Sequence, residues 1–175
     1  MSKYGEKWVT KPDNRMSEIK PQRIAFLGTE SRPLDDKRRL TVPSKWRPKG
    51  SDDANEFIAF PNPLNASIVV YPPEMKDKLY DKLSEIGLAS EPEEALLIDE
   101  MFGAGEYMSC DKQGRIMLSE DLMAHAEITR DSLLIGSLTK FSIWNPSSHA
   151  KWKKDGQVQN EKTKRIAEIL KKIGL

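Results

Sequence analysis

The chain has 175 residues, of which 38% are apolar, with a formal net charge of +1, one cysteine and two histidines. That length and composition suit one or two small domains with an ordinary core, while Cys110 alone forms no internal disulfide and, with only His125 and His149 beside it, offers no zinc spacing. No run approaches about eighteen uninterrupted apolar residues, and the opening MSKYGEKWVTKPDNR lacks the apolar middle of a secretory signal. A cytoplasmic protein is therefore expected, with no metal, cofactor, membrane partner or small-molecule substrate.

Met1 to Gln22 is polar and aperiodic and reads as an arm. Arg23 to Gly28 and Arg39 to Val42 read as strands. Pro43 ends the second, and Pro43-Ser44-Lys45-Trp46 suits a single helical turn that opens on proline, where the missing amide proton is not needed. After a loop from Lys49 to Asn55, Glu56 to Phe60 and Ser67 to Tyr71 are strands joined by PNPLNA, a hairpin. Met75, Leu79, Leu83 and Ile86 recur at helical spacing from Pro73 onward, and Ala95, Leu96, Leu97, Met101 and Phe102 form a second apolar helix face, with Gly87 to Pro92 breaking the two.

Strands return at Glu106 to Cys110, Ile116 to Leu118, Ser132 to Ile135 and Phe141 to Trp144. Between them Ser119 is placed to cap a helix with acids in its first turn, and Pro146 opens another helix. From Asn160 to Leu175, Ile166, Ile169, Leu170 and Ile173 fall on one helical face opposite a lysine-rich one, predicting an amphipathic helix that docks on the core or on a neighbouring subunit.

The second set of strands repeats the first. At an offset of 76, Phe26 falls on Phe102, Glu30 on Glu106, Asp35 on Asp111, Arg39 on Arg115, Leu40 on Ile116 and Val42 on Leu118. The same offset lays Phe57-Ile58-Ala59-Phe60 on Leu133-Leu134-Ile135-Gly136, and a slip of three residues then matches Ile68 to Pro72 with Phe141 to Asn145. The sequence is a duplicated supersecondary unit. Its expected division is an arm at 1–22, a first repeat with linking helices at 23–101, a second repeat at 102–156 and a terminal helix at 157–175.

Charge is sorted along the chain rather than in total. Lys20 to Lys49 is basic, and Glu74 to Glu100 is acidic. Each repeat carries Asp-x-x-x-Arg between two strands. The carboxylate of Asp35 or Asp111 suits the local hydrogen bonding of a tight turn, and can equally pair with its arginine and fix its direction. Arg39 and Arg115 are thus either bound to those aspartates or extended toward phosphates and guanine edges, with Lys37, Arg38 and Lys112 on the same turns. Gly114 supplies a residue free to take positive φ; Arg38 stands there in the first copy, so that turn either tolerates a strained side chain or differs in geometry. No glycine-rich phosphate loop precedes a helix, and no base identifies a serine nucleophile, so the chain carries no catalytic constellation.

The segments LDDKRRLTVPSKWR and CDKQGRIMLSEDL, each followed by an apolar strand and then VVYP or SIWNP, resemble the MraZ family of bacterial transcriptional regulators. That family duplicates the pattern LDxKGRhxhP, h being apolar. The resemblance covers about Phe26 to Trp152. It implies a mainly β fold with short helices (α+β), a tandem AbrB-like swapped-hairpin barrel of two pseudo-symmetric halves. It implies a ring-like homo-oligomer on double-stranded DNA, bound to direct repeats in the promoter of the division and cell-wall gene cluster, with repression as the main output and association with the nucleoid. Carried onto this chain, Asp35 with Arg39 and Asp111 with Arg115 are the motif positions, and Arg32, Lys37, Arg38 and Lys112 are the surrounding DNA contacts. The chain departs from the pattern at Arg38, Cys110 and Ser119, which stand for glycine, leucine and proline. A protein-interaction module or a toxin-neutralising antitoxin on the same fold is the alternative.

Overall fold

A computed structural model describes residues 24–48, 56–87, 92–155 and 165. The expected arm and, but for Arg165, the expected terminal helix lie outside the described residues. In chain order the elements are β1 (Phe26–Pro33), β2 (Arg39–Thr41), a 3-10 turn (Ser44–Trp46), β3 (Glu56–Pro61), β4 (Ser67–Tyr71), a 3-10 turn (Pro73–Met75), α1 (Lys76–Gly87), α2 (Pro92–Gly103), β5 (Glu106–Ser109), β6 (Arg115–Met117), α3 (Glu120–His125), β7 (Asp131–Leu138), β8 (Phe141–Trp144) and α4 (Pro146–Lys154). This is the α+β pattern expected, antiparallel strands with short helices. Ser119 caps α3 by accepting the amide proton of Leu122 at 3.2 Å, and Asn145 caps α4 by accepting that of Ser147 at 2.7 Å. The first strand lies later than its sequence pattern suggests. It begins at Phe26 and runs to Pro33 because β7 opposes every residue of that stretch, from Leu138 against Phe26 to Asp131 against Pro33.

Six strands form one sheet in the order β1-β7-β8-β4-β3-β5, and β2 and β6 form a separate ribbon. Exchanging the halves turns that order into itself reversed. Each half gives its first strand away: β1 pairs with β7 of the second half, and β5 with β3 of the first. Leu40 lies opposite its own counterpart Ile116 in the ribbon, and Val69 opposite its counterpart Ser142 between β4 and β8. A local two-fold axis through those pairs relates the halves. The hairpins are swapped as the resemblance implies, while the six-stranded ladder stays open, with β1 and β5 as its two edges rather than the seam of a closed barrel.

The ladder corrects one alignment. Phe57 pairs with Met108 where Ser132 pairs with Arg32, and Met108 is the counterpart of Arg32. Phe57 therefore corresponds to Ser132, one residue before the Leu133 that an unbroken offset selects. Side chains alternate across a strand, so a slip of one moves every residue to the other face. Burial decides the register: Phe57 and Ala59 are fully buried, as are Ser132 and Leu134 within 1%.

Both halves supply one core. Phe26, Trp46, Phe57 and Phe141 are fully buried, and the ring of Phe141 lies 5.4 Å from Phe26, 5.4 Å from Trp46 and 5.6 Å from Phe57. Leu40, Val42, Ile116 and Leu118 close this core beneath the ribbon. The inner face of the ribbon is thereby fixed, and its outer face is free to present polar side chains.

Candidate nucleic-acid interface

The two Asp-x-x-x-Arg segments fold alike. In the first, the amide of Asp35 donates to the carbonyl of Arg39 at 3.0 Å and that of Arg38 to the carbonyl of Asp35 at 2.9 Å. Oδ1 of Asp35 accepts the amides of Lys37 and Arg39, both at 2.9 Å, and Oδ2 accepts Nε and Nη2 of Arg39, both at 2.7 Å. In the second, Oδ1 of Asp111 accepts the amides of Gln113 and Arg115 at 2.9 Å, and Oδ2 accepts Nε and Nη2 of Arg115 at 2.8 and 2.7 Å. One carboxylate thus does both things the sequence left open. It shapes the turn and holds the arginine side-on through Nε and Nη2, a pairing in which Nη1 takes no part.

Arg38 and Gly114 both adopt left-handed backbone, with φ of 60° and 79°. The first turn therefore keeps the geometry of the second and tolerates the side chain, at a cost of roughly 1–2 kcal/mol for a residue with a Cβ. The guanidinium of Arg38 reaches Glu120 of the other half at 2.6 Å; both partners are exposed, so this pair adds little stability. The carbonyl of Arg38 accepts the amide of Leu118 at 3.1 Å, and that of Gly114 accepts the amide of Val42 at 2.9 Å. Each turn is anchored to the other half's strand, and the two cannot move independently of the ribbon.

On the ribbon Leu40 and Ile116 point inward, fully buried, and the period of two turns their neighbours outward. Arg39 faces Met117 across the strands and Thr41 faces Arg115. The outer face is consequently a diagonal of two oriented arginines with a threonine and a 59%-exposed methionine between them. Thr41 and Met117 were not among the residues the sequence singled out, although strict alternation from Arg39 and Arg115 would have found them. Lys37 and Arg38 sit on the first turn, Lys112 on the second, and Lys37 and Lys112 are exposed. Arg32 is apart from this group. It lies on β1 with its guanidinium 3.2 Å from Glu30, which also holds Lys45 at 3.1 Å.

The electrostatics follow from these contacts. The amide of Arg39 above all, with its guanidinium, holds the Asp35 carboxyl below its ordinary value of 3.8. The guanidinium of Arg115 does the same for Asp111, and a hydrogen bond from Lys45 lowers Glu30. A carboxylate whose value is depressed on folding stabilises the fold at every pH above its ordinary range, and that contribution is lost as pH falls through the folded value. We expect melting temperature to be flat from pH 7 to about 5 and to fall below about pH 4. An Asp35→Asn/Asp111→Asn variant, melted over the same series, should show a shallower fall; an identical fall would mean that the turns are not the acid-labile element. Cys110, standing where the motif has leucine, is half-buried, and burial pushes its thiol up. No cluster of His, Cys, Asp and Glu among the described residues can hold a metal ion, and no helix among them is long and apolar enough to cross a membrane.

Residues 101–168 match the family described as "MraZ protein, putative antitoxin-like". The "Transcriptional regulator MraZ" of Pelodictyon phaeoclathratiforme is 33% identical over 129 residues, spanning 69% of this chain and 84% of that protein. The chain belongs to the MraZ family. The MraZ relative of Clostridium tetani is 31% identical over 152 residues, spanning 86% of this chain and 99% of its own length. That of Mycolicibacterium smegmatis is 32% identical over 136 residues, spanning 78% and 90%. These MraZ proteins are named for transcriptional regulation, a role without catalysis. The chain spans 84–99% of the length of these three relatives, and the family match at 101–168 contains the second turn.

Proposed function

We propose that this MraZ-family chain is a sequence-specific DNA-binding regulator whose interface is the outer face of the β2–β6 ribbon with its two turns. The observation that carries this reading is the pair of equivalent turns, each holding one arginine side-on against an aspartate, on a single ribbon related by a local two-fold axis. A two-stranded ribbon fits the major groove of DNA, and an arginine with a fixed guanidinium suits the paired acceptors of guanine. Lys37, Arg38 and Lys112 supply phosphate affinity, and Arg39 and Arg115 read base edges. Thr41 and Met117 are suited to thymine methyl groups between them. Arg32, held by Glu30, contributes at the margin.

One ribbon makes few contacts and binds weakly. A ring-like homo-oligomer on direct repeats would engage several ribbons at once, raising affinity without a new contact. On this reading the output is repression of the division and cell-wall gene cluster, including the chain's own promoter, and the protein is associated with the nucleoid. The repeats bounded at 23–101 and 102–156 would then act as one reading unit.

Fluorescence anisotropy tests this with DNA from upstream of the protein's own gene, a shuffled duplex and a salt series. Selective binding with a steep salt slope is expected. Equal affinity for the two duplexes would overturn the proposal and turn attention to a protein partner.

A further inference from the structure

The two turns share a backbone but not a side chain at their left-handed position, where the first has Arg38 and the second Gly114. A Cβ at Gly114 would lie 2.1 Å from both Cζ and Nε of Arg47, and 2.4 Å from its Nη1. The guanidinium of Arg47 thus already fills the space in which a side chain at residue 114 would begin. It lies against the glycine, in the space that a Cβ there would enter.

Arg47 reaches this place from the first half. It follows the 3-10 turn whose Trp46 is fully buried in the core, and its Nε donates to the carbonyl of Val42 at 2.8 Å. The amide of that same Val42 donates to the carbonyl of Gly114 at 2.9 Å. The arginine is therefore tied to the strand that anchors the second turn. Among the described residues no carboxylate pairs with it, whereas Arg38 is paired with Glu120.

The reciprocal position completes the pattern. At the offset of 76 the counterpart of Arg47 is Met123, which is partly buried and packs against the core. Among the described residues no hydrogen bond or ion pair brings a guanidinium of the second half to the first turn, which carries its own in Arg38. At its left-handed position the second turn has none of its own, and the first half sends one. Two different residues thus place one guanidinium at each left-handed position.

We propose that Arg47 is a nucleic-acid contact that supplies to the second turn the guanidinium that Arg38 supplies to the first, an inference that rests on the DNA-binding reading above. Each turn then presents two arginines, Arg38 with Arg39 and Arg47 with Arg115, so the two turns match in guanidinium number although their sequences differ. Gly114 adopts the positive φ of the turn and leaves the space that the Arg47 guanidinium occupies.

The test compares wild type, Arg47→Met and Arg47→Lys by anisotropy on upstream and shuffled DNA over a salt series, with melting temperature in parallel. Methionine keeps an unbranched chain over Gly114 and removes the charge; lysine keeps the charge and removes the planar fork. Arg47→Met is expected to weaken selective binding roughly tenfold or more and to lower the salt slope by about one. Arg47→Lys should recover the slope and not the selectivity. Undiminished binding by Arg47→Met overturns the proposal, as does a loss that comes with lowered melting temperature and an unchanged slope, because Arg47 would then only hold the turn. A wild type that does not distinguish the duplexes overturns the DNA-binding reading itself, whereas selective binding that ignores Arg47 overturns this inference alone.

Discussion

Phe141→Ala is expected to destabilise the protein by about 3–5 kcal/mol, the usual cost of emptying a fully enclosed aromatic site. Its ring is buried completely and is the hub of the aromatic group, in contact with Phe26, Trp46 and Phe57. All three partners come from the first half, and Phe141 comes from β8 of the second. Because β1 and β5 are exchanged, neither half can close over the vacancy by a local shift. Whole domains are stable by only about 5–15 kcal/mol, so the variant should lose a large part of its margin. Urea unfolding followed by tryptophan fluorescence and by circular dichroism should give one displaced transition, coincident in both signals. Two separated transitions, or a loss under about 1 kcal/mol, would mean that the halves own separate cores and that the shared aromatic group is incidental. Tyr107→Ala, at a residue 59% exposed, is the matched control and should change little.

Local rules made most elements legible. The turn-rich PNPLNA separates β3 from β4, Ser119 caps α3, and Pro146 opens α4, each because a nearest-neighbour backbone need has a residue type that meets it. The Asp-x-x-x-Arg turn was legible for the same reason, since the hydrogen bonds of its aspartate carboxylate span four residues or fewer. What the sequence could not carry is anything decided across the local two-fold. That β1 leaves its own half for β7 depends on partners 100 residues away, such as Arg32 opposite Ser132. The Phe57–Ser132 correspondence was missed because both Leu133 and Leu134 are apolar, so hydrophobicity alone does not say which of them faces the core. Arg47 was missed for a related reason. Its meaning lies in the space over Gly114 that its guanidinium fills, and positive φ alone already accounts for a glycine in that turn.

The charge-reversed variant Arg38→Glu/Arg39→Glu is expected to abolish selective DNA binding, the largest functional effect on this surface. Contacts of this kind are worth about 1–3 kcal/mol each, and two acids on the turn would also repel the phosphates that Lys37 attracts. The difficulty is that Arg39 holds Asp35, so reversal places two carboxylates where an ion pair stood, and loss of binding could follow from a disordered turn. Arg38→Gly separates the two effects. It gives the first turn the residue that the second already has at φ 79°, relieving the left-handed backbone at Arg38 while leaving the Asp35–Arg39 pair intact. Stability should hold or rise, because the strain removed outweighs an exposed pair with Glu120, while affinity for upstream DNA falls and the salt slope drops by about one. A glycine variant that melts higher and binds more weakly would separate the turn's shape from its chemistry. If instead it binds as wild type does, while the double reversal still abolishes binding, the contact belongs to Arg39 alone, and Arg38 is a tolerated departure from the motif.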